Sequence, residues 1–181
     1  MALEITQLSL NSRIGEIWLG CTPRGLFWVN LRPVDTRAVE GFFDDGHRVK
    51  LKHGGETAER AARELILYLE GKLKKFSVKL DLRGTTPFQR RVWRATCKIP
   101  YGQVRTYAWI ADRLGDPNCA RAVGNALGKN PIPVFIPCHR VVGAHGGLGG
   151  FSAGLSFKRW LLSLESGQSS LGLGTDEDLS A

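Results

Sequence analysis

The sequence predicts an α/β domain at the N-terminus, followed by a mainly α-helical domain that contains a helix-turn-helix. Short apolar runs separated by turn residues fill the first third of the chain. The composition changes near residue 84, and two short helical patterns then follow each other across a glycine-containing turn. We therefore expect domains at residues 1–83 and 84–167. The polar, acidic residues 168–181 are expected to form a disordered tail.

Strands and one helix account for most of the first domain. Strands are expected at residues 5–10, 15–21 and 25–31, which are rich in β-branched and aromatic side chains. Between residues 57 and 71 the apolar side chains recur at helical spacing, and Gly71 supplies a stop. Apolar and polar residues alternate over residues 76–82, which predicts a further strand.

Helices dominate the second domain. Thr86-Pro87 has the composition of a helix start, with threonine as N-cap and proline at the first helical position. Further helices are expected at residues 107–114, 118–127 and 156–164. Gly115-Asp116-Pro117 joins the first two of these, which suggests a helix-turn-helix, although many helical hairpins bind nothing.

Basic charge is concentrated in the second domain. Residues 83–164 contain 12 Lys and Arg against 2 Asp and Glu, a net charge of +10, whereas residues 1–82 carry 13 against 11. This asymmetry is typical of a protein that binds a polyanion, nucleic acid first, although a generic basic surface explains it equally well. The helix at 118–127 carries mostly small side chains apart from Arg121. That surface suits close approach to a DNA groove or tight helix packing.

Composition excludes several classes of protein. No run approaches the roughly 18–20 apolar residues of a membrane span, and the first residues lack the pattern of a signal peptide. The four cysteines show no paired spacing, so neither a disulfide framework nor a metal site is expected. We expect a cytoplasmic protein without cofactors, nuclear if the source is eukaryotic.

Cys138 and His139 form the candidate chemical centre. A histidine beside a cysteine is a possible base for making the nucleophilic thiolate. Neighbouring side chains of an extended strand point to opposite faces, so either the chain turns tightly after Pro137 or a water links sulfur to imidazole. A carboxylate usually orients such a histidine, and Glu165 follows the pair within the folded part. Taken alone, a buried cysteine is more often inert packing.

The chain resembles the O6-alkylguanine-DNA alkyltransferases over about residues 86–165. The resemblance rests on the segment from Asn130 through Ile136-Pro137-Cys138-His139-Arg140 to Val142, and on Tyr107, Ala120-Arg121-Ala122-Val123-Gly124, Gly149-Gly150-Phe151-Ser152 and residues 158–165 with Trp160. One departure is Ala153, where family members commonly have glycine.

The resemblance implies direct-reversal DNA repair. A methyl or other alkyl group would pass once from O6 of guanine, and also from O4 of thymine, to Cys138. This is the activity of a methylated-DNA–protein-cysteine S-methyltransferase. The implied partner is double-stranded DNA containing O6-alkylguanine, bound by a monomer that needs no membrane and no protein partner.

The resemblance also implies roles for individual residues. His139 would act as base through a water, with Glu165 orienting it, and Asn130 would join the active site to the recognition helix. Tyr107 would help to rotate the 3′ phosphate and donate toward the purine N3. Arg121 would fill the gap left by the flipped base.

Further residues would contact the DNA or the base. The carbonyls of Cys138 and Val141 would accept from the guanine amino group, and the backbone N–H of Ser152 would donate to O6. The remaining recognition-helix residues would permit close approach to the minor groove: Ala120, Ala122 and Gly124.

Three rival functions are weaker. Alkyltransferase-like proteins bind damage without repairing it, but they lack the cysteine. A cysteine hydrolase would need a product that water can attack, which a thioether is not. Regulators of this family carry an additional domain, for which 181 residues leave no room.

Overall fold

The computed structural model describes residues 3–12, 15–31 and 49–167 of the chain. The chain divides into two units, Met1–Arg83 and Gly84–Ala181. The tail predicted at residues 168–181 lies outside the described residues. In the described ranges, no helix combines the length and the apolar character that crossing a membrane requires.

A four-stranded sheet is the frame of the first unit. Strands β1 (Leu3–Ser12), β2 (Gly15–Thr22) and β3 (Gly25–Asn30) are antiparallel neighbours, as the predicted strands and turns indicated. A further strand, β4 (Val49–His53), pairs in parallel with β1, so that the order is β3-β2-β1-β4. The sequence did not predict β4.

The helix α1 (Glu56–Leu69) covers this sheet, which confirms the helix predicted from residue 57. In β2, the alternate side chains of Ile17, Leu19 and Cys21 are fully buried. The buried face of the helix repeats every three or four residues, as expected for a helix packed on a sheet: Ala58, Ala61, Ala62, Leu65 and Tyr68. The core of the first unit lies between these two surfaces.

The strand predicted at residues 76–82 is wrong. Only Leu80 forms a bridge there, with Leu26. The reason is that the Glu64 side chain accepts hydrogen bonds from backbone N–H groups that, in a strand, would bond to a neighbouring strand. The Glu64 carboxylate accepts from the backbone N–H of Ser77 at 2.8 Å and from that of Val78 at 3.3 Å. An alternating pattern therefore became an irregular segment.

The second unit begins with α2 (Pro87–Thr96), as Thr86-Pro87 predicted. The Thr86 hydroxyl accepts from the Gln89 N–H, and the Gln89 side chain accepts from the Thr86 N–H, which is a capping box. On the inner face, Trp93 donates from Nε1 to the carbonyl of Ala126 at 2.9 Å. This bond fixes α2 against the helix that contains Ala126.

The predicted helix-turn-helix is confirmed. Its helices are α3 (Tyr107–Arg113) and α4 (Ala120–Gly128), joined through a 3₁₀ turn at Pro117–Cys119. A final helix, α5 (Leu155–Ser166), matches the one expected at 156–164. Two short parallel strands, β5 (Arg105–Thr106) and β6 (Val141–Val142), pair the residues before α3 with those after Cys138. The start of the helix-turn-helix is thereby tied to the candidate site.

Candidate active site

Cys138 lies at the start of a tight 3₁₀ turn, Cys138–Arg140, that follows Pro137. Of the two arrangements considered from the sequence, the chain adopts the tight turn. The approach to it is strained, because the fully buried Val134 has a φ of 75°. For a β-branched residue this conformation costs about 1–3 kcal/mol, so the surrounding packing must impose it.

Asn130 holds the sulfur of Cys138 from the other side. Its Nδ2 donates to Sγ at 3.0 Å and also to the carbonyl of Ile136 at 3.0 Å. Its Oδ1 accepts from the Ile132 N–H at 3.0 Å, and its own N–H donates to the carbonyl of Leu127 in α4. Asn130 therefore links the end of the recognition helix directly to the sulfur.

The Cys138 side chain is a protonated thiol at rest. Only 7% of the residue is exposed. Burial raises the pKa of the Cys138 thiol above its ordinary value, while the hydrogen bond from Asn130 and the positive charge of Lys158 oppose that rise. Because the thiolate is the nucleophile, reaction requires a base that removes the proton.

His139, Glu165 and Arg140 form a buried network beside the sulfur. The imidazole Nε2 lies 2.8 Å from Glu165 Oε1. Arg140 donates to the same carboxylate, from Nε at 2.9 Å and from Nη2 at 2.9 Å, and from Nη1 to the carbonyl of Ile99 at 2.8 Å. The N–H of Gly102 adds a bond to Glu165 Oε2 at 3.0 Å. The Glu165 carboxylate is thus the counter-ion of the buried Arg140 guanidinium, which would be unstable in the interior without a negative partner.

This network determines the protonation state and the tautomer of the His139 imidazole. Burial lowers the pKa of the imidazole, and the hydrogen bond and charge of Glu165 only partly offset that effect. The neutral ring donates from Nε2 to Glu165, which makes Nδ1 the basic nitrogen. A neutral imidazole with a fixed tautomer can accept a proton from a thiol.

Two functional residues escaped the sequence reasoning, Arg140 and Lys158. Lys158 is fully buried, and its Nζ donates to the carbonyls of Val141 at 2.7 Å, Leu148 and Gly150. It thereby holds the glycine-rich loop, residues 143–154, against the strand β6 that follows Cys138. A signal was available, because Lys158, Leu161 and Glu165 recur at i, i+3 and i+7 on one helix face. Two charged residues on a buried face indicate an internal network.

A pocket of about 330 Å³ opens in front of the sulfur. We call it the Cys138 pocket. Its lining comes from α3, α4, the Cys138 turn and the glycine-rich loop: Tyr107, Gly124, Leu127, Gly128, Cys138, Gly150, Phe151 and Ser152. This volume is at the lower end of the roughly 300–1,000 Å³ found for small-ligand sites. One planar base fits within this volume.

Gly149 makes room for Tyr107, and Gly124 lies within ordinary contact distance of the Tyr107 ring. A Cβ at Gly149 would lie 2.6 Å from the Tyr107 hydroxyl oxygen, and the φ of 68° there also favours glycine. A Cβ at Gly124 would lie 3.7 Å from the Tyr107 ring. Gly124, which the sequence placed on the DNA-contacting surface, is thus half-buried beside the pocket.

The structure brings several sequence-predicted residues together at the pocket: Cys138, Tyr107, Gly124 and Ser152. Asn130 donates a hydrogen bond to the Cys138 sulfur. His139 follows Cys138 in the 3₁₀ turn and is hydrogen-bonded to Glu165. Val141 is fully buried, and its carbonyl accepts a hydrogen bond from Lys158.

On α4, Arg121 and Ala122 are exposed and Ala120 is half-buried. Within residues 3–12, 15–31 and 49–167, no group of three or more His, Cys, Asp or Glu side chains is placed to hold a metal ion.

Comparison with protein families gives one family for the second unit. The model for the DNA-binding domain of 6-O-methylguanine DNA methyltransferase matches residues 87–167. The methylated-DNA–protein-cysteine methyltransferase of Mycobacterium leprae is 42% identical over 160 residues, which cover 88% of this chain and 92% of the relative. The enzyme of the same name from Mycobacterium tuberculosis is 54% identical over 105 residues, or 58% of this chain. That match spans 63% of the relative, less than two thirds of its length.

Solved structures extend the likeness to both units. The crystal structure of Mycobacterium tuberculosis OGT in complex with DNA has a TM-score of 0.75 and 39% identity, covering 90% of this chain and 94% of that one. The O6-methylguanine-DNA methyltransferase of Pyrococcus kodakaraensis has a TM-score of 0.66 and 27% identity, covering 88% and 98%. These proteins share the small N-terminal sheet and the helical C-terminal domain.

Proposed function

Because the chain belongs to the methylated-DNA–protein-cysteine methyltransferase family, we propose that it repairs O6-alkylguanine in duplex DNA by moving the alkyl group to its own Cys138. The observation that carries this proposal is the placement of the thiol. The sulfur lies in the wall of a base-sized pocket, accepts a hydrogen bond from Asn130 and is followed by a histidine fixed by Glu165.

The damaged base must leave the duplex to reach the sulfur. O6 of guanine faces the major groove, and a base that stays stacked in the duplex cannot enter a pocket in the protein. The exposed α4, with its small residues and Arg121, is the surface proposed to lie in the minor groove. Arg121 would then occupy the space that the flipped nucleotide leaves.

The transfer is a single displacement at the alkyl carbon. His139 takes the thiol proton, through a water, and the sulfur attacks the carbon as its bond to O6 breaks. The electron pair passes to the purine, and the Tyr107 hydroxyl donates a proton toward N3, so that neutral guanine leaves. Backbone donors and acceptors of Ser152 and Val141 are proposed to orient the base. The product is a thioether, which water does not cleave.

Labelled DNA tests this proposal directly. A duplex carrying O6-methylguanine with a labelled methyl group, supplied in excess, should leave one label per protein molecule, on the peptide containing Cys138. The expected stoichiometry is one because the thioether cannot be hydrolysed to regenerate the thiol. Binding of the duplex with no transfer of label would indicate a damage-binding module instead. Repeated turnover would exclude a suicide reaction.

Arg121→Ala is expected to separate base extrusion from chemistry. Unpairing and unstacking a base costs a few kcal/mol, so repair of duplex DNA should slow by at least about tenfold. Reaction with the free base O6-benzylguanine, which needs no extrusion, should change less than about twofold. Rates on both substrates are compared with those of Arg159→Ala, which removes an exposed arginine from α5. Equal losses on both substrates would place Arg121 in bond-breaking.

Methylation of Cys138 is expected to lower the melting temperature. The added methyl group enters a site where Asn130 Nδ2 already lies 3.0 Å from Sγ, and such overpacking typically costs about 1–3 kcal/mol. Thermal melts of free and stoichiometrically methylated protein measure the difference. In Asn130→Ala, which removes the crowding amide, methylation should cause a smaller shift. An unchanged or higher melting temperature of the methylated protein would show that the pocket has spare room.

A further inference from the structure

A second concavity of about 580 Å³ lies in the same unit, between α2, β5 and α3. We call it the basic cleft. It shares no lining residue with the Cys138 pocket. Five of its lining side chains are cationic: Arg91, Arg94, Lys98, Arg105 and Arg113. The proposed repair step uses none of them.

In the part of the chain that the structure describes, carboxylates do not neutralise these cations by ion pairing. Among the residues that the structure describes, none of the five forms an ion pair with Asp or Glu. The hydrogen bonds of their side chains go to neutral groups, from Arg91 to the carbonyl of Leu114 at 2.6 Å and from Arg105 to Gln103 Oε1 at 2.7 Å. Five like charges around one concavity repel each other and are stabilised when a polyanion enters.

An aromatic ring completes the wall of the basic cleft. Trp109 is half-buried, and the guanidinium carbons of Arg113 and Arg105 lie over its ring, 4.8 Å and 5.5 Å from the centroid. A base that stacks on Trp109 therefore takes the place of one of these guanidinium groups, which is then available to a phosphate. Cationic side chains that follow a phosphate backbone, with an aromatic ring on which a base stacks, are the usual components of single-strand binding sites. The volume, within the roughly 300–1,000 Å³ of small-ligand sites, exceeds what one phosphate ion needs.

One helix separates the two sites. Tyr107 lines the Cys138 pocket and Trp109 lines the basic cleft, although they are only two residues apart in α3. Successive residues of an α-helix are rotated by about 100°, so these side chains leave the helix about 200° apart. A strand in the basic cleft is therefore not the nucleotide whose base enters the Cys138 pocket.

We propose that the basic cleft is a second nucleic-acid site, which binds the backbone of a single DNA strand with one base stacked on Trp109. Arginine forks suit the phosphate oxygens because they donate two parallel hydrogen bonds. The site is independent of alkyl transfer. The chain holds duplex DNA on α4 and an unpaired strand in the basic cleft at the same time.

Competition binding with the full chain tests this site. The protein is saturated with an unlabelled, undamaged duplex, and a fluorescent ten-nucleotide oligothymidylate is titrated in. The oligothymidylate should still bind, with one site per protein. Arg94→Gln/Lys98→Gln should weaken this binding at least about tenfold and reduce its salt slope by about 1.4, because each neutralised phosphate accounts for about 0.7 of the slope. Trp109→Leu should weaken it about tenfold with an unchanged slope, because stacking carries no charge.

The control variant removes the same charge elsewhere. Lys75→Gln/Lys79→Gln neutralises two exposed lysines of the first unit and should change oligothymidylate affinity less than about twofold, since neither lysine lines the cleft. Melting curves of each variant verify folding. Complete displacement of oligothymidylate by the duplex, an equal loss in the control, or competition by oligoglutamate as strong as by oligothymidylate would each overturn the proposal. Labelled-methyl transfer in the same preparations reports on the repair reaction separately.

Discussion

Cys138→Ser is expected to lower the rate of alkyl transfer by at least about 10⁴-fold, since removing a catalytic nucleophile has effects of this size. Serine has nearly the size of cysteine and accepts the same hydrogen bond from Asn130. Its hydroxyl, however, is a far weaker acid than a thiol, and the neutral His139 is too weak a base to ionise it. The loss should therefore fall on the chemical step and not on folding.

Label transfer from methylated duplex measures this effect, with melting temperature as a check on folding. The matched control is Cys97→Ser, an exposed cysteine of the same unit that does not line the Cys138 pocket. It should retain its transfer rate within about twofold, because an exposed cysteine outside the pocket lining does not contact the alkylated base. Transfer by Cys138→Ser, or loss of transfer in Cys97→Ser, would assign the alkyl acceptor elsewhere.

Glu165→Gln should lower both stability and activity. The carboxylate accepts from the buried side chains of His139 and Arg140 and from the Gly102 N–H. Glutamine leaves Arg140 buried without a counter-charge, which costs about 3–5 kcal/mol. For a unit of this size, the melting temperature should fall by more than about 10 °C. Because the imidazole also loses its orienting acceptor, transfer to Cys138 should slow by about 10²–10⁴-fold.

Two further variants separate the causes. Glu56→Gln removes an exposed carboxylate that pairs with Arg60, and should change stability by less than about 0.5 kcal/mol. In the double variant Glu165→Gln/Arg140→Met the unpaired charge is absent, so part of the stability should return while the transfer rate stays low. A single variant Glu165→Gln that melts normally would show that Arg140 finds another partner, and the account of the network would be wrong.

The elements predicted correctly from the sequence are those whose signals lie in residues close together in the chain. The antiparallel strands β1 to β3 follow one another through short turns, and Thr86-Pro87 carries its own capping signal. The strand β4 has no such signal, because its partner β1 lies more than 40 residues earlier and pairs in parallel. The failed strand at 76–82 depends on Glu64, which lies on another element.

In the candidate site, too, local features could be predicted from the sequence and contacts between distant residues could not. Adjacent residues such as Cys138 and His139 are recognisable as a motif. The partnership of Arg140 with Glu165 joins residues 25 apart, and that of Lys158 with Val141 residues 17 apart. Neither spacing follows from helix or strand periodicity, since an irregular loop intervenes. The only sign of these two partnerships in the sequence was that Lys158 and Glu165 share one helix face with the apolar Leu161.

The burial of the Cys138 thiol also protects a molecule that has not yet reacted with DNA from losing its nucleophile to other reagents. A protein that reacts once is spent by any reagent that modifies its sulfur. Peroxides and soluble electrophiles attack thiolates, and a thiol that is 7% exposed with a raised pKa presents very little thiolate to them. Oxidation to sulfenic acid is thereby slowed while the pocket is empty. In the proposed reaction, the electrophile comes into contact with the sulfur on a flipped base instead.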